Sequence, residues 1–357
     1  MSCTLCMIAK NEEHTLMRCL ESVKGLFDEI VIVDTGSSDN TKKTALEFTD
    51  RVYDFEWVYD FSAARNYAFS LANTDYAMWL DADDIIPPQS YEPLKKTLAS
   101  LEDTQPDIVF MPYCVGFSED GEITLSFERE RIIRLGKGLL FEGEIHEAIP
   151  PRGKTARSDA QVWHLGKENR DPNRNIDIFE RLVASGKKLS PREMYYYARE
   201  LSWHDRIPEA KSRYLECIGD PTAWSENRIS ACCELAELYI RENDLEAAME
   251  YLLKSLSFGA PRADMCCRMG YIFLQKNELE TARFWYSLAP ERFNQHSVSF
   301  IHADYGKYIP YIQLAVIYDR LGDCKSANEF NELAGKFKPS SKHYLQNKAY
   351  FEQKLTK

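Results

Sequence analysis

Hydrophobic positions change their period about halfway along the chain. In the first half, short apolar runs alternate with patterns spaced by three and four. CTLCMIA (3–9) predicts a strand ending at Lys10-Asn11-Glu12-Glu13, and Leu16, Cys19, Leu20 and Val23 then share one helical face. In EIVIVD, Ile30 to Val33 are continuously apolar, as suits a strand buried on both faces. Asp34 meets a Gly-Ser-Ser-Asp turn, where Ser38 or Asp39 is placed to cap a helix starting near Thr41. A third strand, RVYDFEW (51–57), precedes a helical face of Phe61, Ala64, Ala68 and Leu71 that carries Arg65 and Asn66. The fourth strand, Tyr76 to Leu80, runs into Asp81, Asp83 and Asp84, and Pro87-Pro88 are expected to stop any regular element. Such alternation predicts a mostly parallel, Rossmann-like α/β sheet with crossover helices. Ligands of these sheets gather outside the carboxyl ends of the strands. Asn11, Asp34 and Asp81 all fall at such ends.

A helix is expected from about Tyr91 to Leu101, then two strands in PDIVFMPYCVGF and GEITLSFERERIIRL. The stretch GLLFEGEIHEAIPPRG (138–153) follows, with Glu142, Glu144, His146 and Glu147 close together after Arg129, Arg131 and Arg134. A solvated, charged strand is the plain alternative for that cluster. From about Asn173 the pattern becomes helical and repetitive. Two stretches superpose at an offset of 34 residues, with Cys232-Cys233 on Cys266-Cys267, Ala236 on Gly270, Tyr239 on Phe273 and Ala248 on Ala282. A third copy supplies Leu314, Ala315, Tyr318, Ala327, Ala334 and Pro339, and a degenerate earlier one Leu201, Ala210, Tyr214 and Cys217. The stretch 293–308 departs from the period as an insertion. The stripe Tyr195, Tyr196, Tyr197, Trp203 and Tyr214 is core by default, though part of it could line a peptide groove. The pattern predicts two domains, 1–172 and an all-α 173–357.

Composition narrows the classes. The chain has 357 residues, 44% hydrophobic and 28% charged, which describes a globular protein. A formal net charge of -12 argues against a nucleic-acid surface, which needs a basic footprint. The N-terminal apolar run reaches Lys10 too soon for a signal peptide, and no stretch is long enough to span a bilayer. Ten cysteines in so long a chain, several in adjacent pairs within helical patterns, predict reduced thiols and a cytoplasmic setting. Cys3-x-x-Cys6 lacks a second pair to complete a zinc site.

Three carboxylates ending a hydrophobic strand are costly unless a cation sits among them. A divalent metal with diphosphate oxygens is the usual partner. An acidic turn that caps a helix is the structural alternative. The G-x-G-x-x-G turn of hydride-transferring folds and the G-x-x-x-x-G-K-[ST] loop are both absent.

AKNEE (9–13), VIVDTGSSDNT (31–41), FSAARN (61–66) and WLDADD (79–84) together resemble glycosyltransferase family 2, the inverting nucleotide-sugar transferases of the GT-A fold. The resemblance implies donor contacts at Ala9, Asn11 and Glu12, Asp34 on the base, Arg65 against base or diphosphate, and Asp81 on the ribose. Asp83 would ligate Mn2+ or Mg2+, with His164 as a late second ligand. Arg134 would meet the diphosphate or acceptor. Asp84 is left between metal ligand and supporting residue, and Asp39 is more simply a cap. Glu147 is the expected general base, with His146 as alternative or acceptor-positioning group. The donor implied is UDP-glucose or UDP-N-acetylglucosamine.

The helical repeats resemble tetratricopeptide repeats. The joined layout is similar to bacterial peptide S-glycosyltransferases of the sublancin type, which implies a peptide or protein acceptor, through Cys, Ser or Thr, held near the repeats. A lipid-linked or polysaccharide acceptor is the alternative. A binding scaffold without catalysis is the reading from another class, and retained Asp34, Asp81, Asp83 and Glu147 count against it. The sequence leaves a homodimer open.

Overall fold

A computed structural model of the chain describes residues 1–118, 121–166, 171–294 and 301–355. Part of the predicted insertion, 295–300, lies outside these residues. The chain forms two compact units, Met1–Lys188 and Leu189–Lys357. Their boundary follows the helix Arg174–Ala184, so that helix belongs to the first unit rather than to the helical domain expected from 173 onward.

The first unit is α/β. Its elements in order are β1 (Cys3–Ala9), α1 (Leu16–Ser22), β2 (Glu29–Asp34), α2 (Thr41–Leu46), β3 (Val52–Asp54), α3 (Phe61–Ser70), β4 (Tyr76–Asp81), β5 (Asp84–Ile85) and α4 (Pro88–Thr104). Then come β6 (Ile108–Phe117), β7 (Ile123–Arg134), β8 (Thr155–Arg157), β9 (Val162–His164) and α5 (Arg174–Ala184). The sheet runs β3-β2-β1-β4-β7-β6-β9-β5, with β8 pairing β6. Strands β1 to β4 are mutually parallel, and β7 reverses direction between β4 and β6.

Burial explains the strands. Every residue of β1 is buried, as are Val31 to Asp34 of β2 and Tyr76 to Leu80 of β4, which fits a sheet covered on both faces. One layer of core packs Ala64 and Ala68 of α3 with Val31, Val33, Trp79, Ile133 and Phe141. Strand β3 is shorter than expected, and α4 is longer. Pro87-Pro88 start that helix rather than ending an element: Pro88 occupies its first turn, where a missing N–H costs nothing.

The second unit is helical, from α6 (Pro191–Trp203), α7 (Ile207–Gly219), α8 (Ser225–Arg241), α9 (Leu245–Ser255), α10 (Ala263–Gln275) and α11 (Leu279–Leu288) to α12 (Tyr308–Arg320), α13 (Cys324–Phe337) and α14 (Lys342–Leu355). The helix pairs share one turn geometry. Asp205, Asn243, Asn277 and Gly322 each adopt positive φ, at 57°, 61°, 58° and 87°. Residues that tolerate the left-handed region sit where each first helix must stop. Asp244 and Asp323 then cap the second helices through Ala247 and Ser326 N–H. The superposed Cys232, Cys233, Cys266 and Cys267 are all buried, as are Ala236 and Gly270. Tyr195, Tyr196 and Tyr197 are core, while Trp203 is 70% exposed. All ten cysteines are free thiols. Among the described residues no helix is long and apolar enough to cross a membrane.

Candidate functional site

Register brings the polar strand ends together. Ala9 lies opposite Asp34, and Ile8 opposite Asp81, so the carboxyl ends of β1, β2 and β4 share one rim. Asp34 is buried, and its carboxylate accepts from Ser37 N at 2.9 and 3.1 Å. Asn11 turns the chain with φ 53°. Its N–H donates to Ser37 Oγ at 2.9 Å and its Oδ1 accepts from Ser38 N at 2.8 Å, which ties the ends of β1 and β2 together. Ala9 C=O accepts from Thr35 N at 2.9 Å. Glu12 accepts from Thr15 Oγ1 at 2.5 Å. Asp39 accepts from Thr41 N at 3.0 Å and from Glu13 N at 3.2 Å, so it serves the start of α2.

The three aspartates at and just after the end of β4 divide by environment. Asp84 is fully buried, and Oδ2 accepts from Asp81 N at 3.0 Å while Oδ1 accepts from the Tyr113 hydroxyl at 2.9 Å. The Arg131 guanidinium lies 3.2 Å from Asp84 Oδ2. Asp83 is less enclosed, and its Oδ1 lies 3.5 Å from His164 Nδ1. The same Nδ1 is 3.1 Å from Asp84 Oδ1, because β5 pairs with β9 in the register Asp84 to His164. One ligand atom each of Asp83, Asp84 and His164 lies within 4.8 Å of the others.

Electrostatics follow from this packing. Burial pushes the Asp83 carboxyl up to about 6, with Asp81, Asp84 and Glu12 adding to the rise against His164. Burial would lower His164, but its hydrogen bond to Asp84 and the charges of Asp83 and Asp84 raise it above its usual value. Burial would raise Asp81, yet Arg65 and Arg131 hold it well below the usual carboxylate range. Carboxylate oxygen with imidazole nitrogen fits a divalent ion. Asp84 is already committed to Tyr113, Arg131 and a backbone N–H, so it suits the role of orienting His164.

Arg65 stands at the centre of a second cluster. Its Nη2 donates to Asp81 Oδ1 at 2.5 Å and its Nε to Glu147 Oε1 at 2.6 Å. The guanidinium lies 4.4 Å above the Trp79 ring. It is buried and spent on two carboxylates, rather than turned outward. Glu147 is also buried, and its C=O accepts from Arg129 Nη2 at 3.0 Å. His146 adopts φ 52°, and its ring stacks on Phe179 of α5 at 6.2 Å. The neighbours His146 and Glu147 therefore meet different surroundings. Glu142 is exposed and Glu144 pairs with Lys187 at 2.5 Å, so this stretch is a loop with one buried acid rather than a charged strand.

Arg134 is not brought to the rim. It pairs with Tyr76 at the amino end of β4, whereas Asp81 ends that strand roughly 16 Å away at the usual rise per residue. Arg131 is the arginine that enters. Val109 faces Ile132 and Phe110 faces Glu130, so Arg131 is the extra residue of a β-bulge. The bulge aims its guanidinium between the rings of Trp79 and Tyr113, at 3.8 and 4.2 Å. Tyr113 and Arg131 were not expected from the sequence. Alternation along FERERIIR gave no warning, since the bulge breaks it.

Residues 4–158 match the family described as Glycosyl transferase family 2, and residues 229–258 match a tetratricopeptide repeat. The chain is 28% identical over 260 residues to a TPR repeat-containing protein of Synechococcus elongatus, covering 72% of this chain and 57% of that protein. It is 26% identical over 260 residues to the SPbeta prophage-derived glycosyltransferase SunS of Bacillus subtilis, covering 69% of this chain and 60% of SunS. Over 158 residues it is 27% identical to the lipopolysaccharide core biosynthesis glycosyltransferase LpsC of Rhizobium meliloti, covering 43% of this chain and 58% of LpsC. The chain thus spans less than two thirds of the length of each of these relatives.

Proposed function

We propose, from a glycosyltransferase family 2 domain at residues 4–158 followed by a tetratricopeptide repeat at 229–258, that this protein transfers a sugar from a UDP-sugar to a peptide side chain, with inversion at the anomeric carbon. The observation that carries the reading is the shared rim. Asp34, Asp81, Asp83 and His164 border one set of strand ends, and the Arg65 ion pairs join Glu147 to Asp81.

In this proposal Asp34 accepts from the N–H edge of uracil, and its bonds to Ser37 N hold it in place for that. Ala9, Asn11 and Glu12 border the nucleotide, and Asp81 meets the ribose. Asp83 and His164 hold the divalent ion, and the nitrogen ligand favours Mn2+ over Mg2+, which prefers oxygen alone. Bound there, the ion would supply positive charge against the departing diphosphate. Glu147 takes the proton of the acceptor hydroxyl or thiol as the new bond to the anomeric carbon forms and the bond to the diphosphate oxygen breaks. His146, stacked on Phe179, is the alternative base or an acceptor-side contact. A thiol acceptor needs less help from the base, since its thiolate forms more readily.

A peptide acceptor is supported by the repeats and by the alignment with SunS, which extends over 260 residues. The alignment with LpsC covers 158 residues, which makes a glycan acceptor the second choice. A cytoplasmic setting is consistent with ten free thiols. The test is release of UDP from UDP-glucose and UDP-N-acetylglucosamine with Mn2+, and mass spectrometry of peptide and glycan acceptors after reaction. A mass increase of one hexosyl or N-acetylhexosaminyl unit on a peptide supports the reading. Calorimetry that finds no UDP binding with Mn2+ present overturns it.

A further inference from the structure

The family resemblance implies a donor contact for the arginine of FSAARN, yet four residues of this segment reach toward a different part of the chain. Phe61 N–H, left without a partner inside α3 because it opens the helix, donates to Glu144 C=O at 2.8 Å. Ser62 Oγ donates to Gly143 C=O at 2.5 Å. Asn66 closes a two-way pair with one residue: Nδ2 donates to Phe141 C=O at 3.0 Å, and Oδ1 accepts from Phe141 N at 2.9 Å. Arg65 Nε completes the set at Glu147 Oε1, 2.6 Å away. Five hydrogen bonds from less than two turns of helix thus grip the loop 141–147 along its length.

That loop needs holding. It contains Gly143 at φ 95° and His146 at φ 52°, the second a side chain in the left-handed region that few residues adopt. Such conformations persist where the surroundings over-determine them. Ser62 and Asn66 bond the loop backbone at Gly143 and Phe141, while Arg65 bonds both Glu147 of the loop and Asp81 of the rim. Trp79 supports the guanidinium from below at 4.4 Å, so its plane is fixed between the two carboxylates.

We propose that Ser62, Arg65 and Asn66 form a clamp that positions the loop bearing Glu147, and that Arg65 is a positioning residue coupling that loop to Asp81 rather than a nucleotide contact. This rests on the proposed transferase reading for its kinetic consequence, but not for its structural one. The clamp sets where the Glu147 carboxylate stands relative to the donor. Loss of it displaces the base without removing any group that touches uracil, ribose or metal.

The full chain is compared with Arg65→Lys, Asn66→Ala and Ser62→Ala. Amide hydrogen exchange reads the loop directly: residues 141–148 exchange faster in Asn66→Ala and Ser62→Ala, while β1, β2 and β4 exchange as in the wild type. Unchanged exchange in the loop overturns the clamp whether or not the protein proves to be a transferase. UDP-sugar hydrolysis with Mn2+ reads the consequence. In Arg65→Lys kcat falls about 100-fold and in Asn66→Ala about 10-fold, with KM for the donor and calorimetric Kd for UDP within about twofold of wild type. A tenfold or greater loss of UDP affinity at preserved kcat in Arg65→Lys instead assigns Arg65 to the nucleotide and overturns the proposal. A wild-type chain that binds no UDP refutes the transferase reading, and exchange then still decides the clamp.

Discussion

Asp84 meets His164 across the β5–β9 pair, with Oδ1 3.1 Å from Nδ1. The contact fixes the imidazole beside Asp83, while the Tyr113 hydroxyl donates to the same Oδ1 and Arg131 holds Oδ2. Such outer partners tune metal ligands, and their loss costs about 10- to 100-fold in affinity. Asp84→Asn is therefore expected to weaken Mn2+ binding by about that factor, measured by calorimetry on the metal-free protein. Asp83→Ala should abolish binding under the same conditions. Equal, complete loss in both variants would make Asp84 a direct ligand.

The raised Asp83 carboxyl gives a pH signature. Its folded value is about 6, against an ordinary 3.8, so this group contributes stability below pH 3.8 that is lost as pH rises through 6. His164, also raised, loses its contribution in the same direction. In chelator, Asp83→Asn should then be more stable than the wild type at pH 7 to 8, by up to about 3 kcal/mol, and the difference should vanish by about pH 4. With Asp83 as the proposed metal ligand, Mn2+ should reverse the order at pH 7, because the asparagine side chain of the variant lacks the ligating carboxylate. Its affinity should fall as pH drops below 6, where protons compete for both ligands. Thermal melts across this range, with and without Mn2+, decide the point.

The alternating sheet, the rim and the helical repeat were legible because each depends on local pattern. Ile30 to Val33 had to be a strand, buried from Val31 onward, and Asp34 had to end it. The repeat showed itself through small residues at a fixed offset, such as Ala236 and Gly270. What escaped depends on residues distant in sequence. Nothing in FSAARN shows that Asn66 binds Phe141, and nothing in FERERIIR shows a bulge at Arg131. The boundary of the first unit was misplaced for a similar reason. Helix α5 carries the amphipathic period of the repeats, but Phe179 packs on His146 and Arg181 on Tyr59.

Arg131 and Arg134 lie three residues apart and should behave oppositely. Arg131 is fully buried between two rings and beside Asp84. Arg131→Met strands a buried carboxylate, which costs about 3–5 kcal/mol. Arg131→Lys should recover only part of this, since an ammonium cannot stack between Trp79 and Tyr113 as a planar group does. Arg134→Ala, at the amino end of β4, should leave UDP affinity unchanged. Urea unfolding reads the first pair and calorimetry the last. Lost UDP binding in Arg134→Ala would place that arginine at the donor after all.

In the repeats, Gly270 on α10 lies under the Tyr286 ring of α11, and a Cβ there would come within 2.7 Å of ring carbons. Alanine in a helix interior is favoured over glycine by about 1 kcal/mol. Overpacking a closed core costs about 1–3 kcal/mol, and Tyr286 is only 2% exposed, so its ring has little room to retreat. The second effect should win: Gly270→Ala lowers the midpoint of helix melting followed by far-ultraviolet circular dichroism. Tyr286→Leu, which withdraws the ring, should make the same Gly270→Ala change neutral or stabilising. The equivalent position one repeat earlier is Ala236, whose methyl is fully buried. If Gly270→Ala raises the midpoint with Tyr286 present, the ring moves aside and the glycine is not what lets these two helices approach.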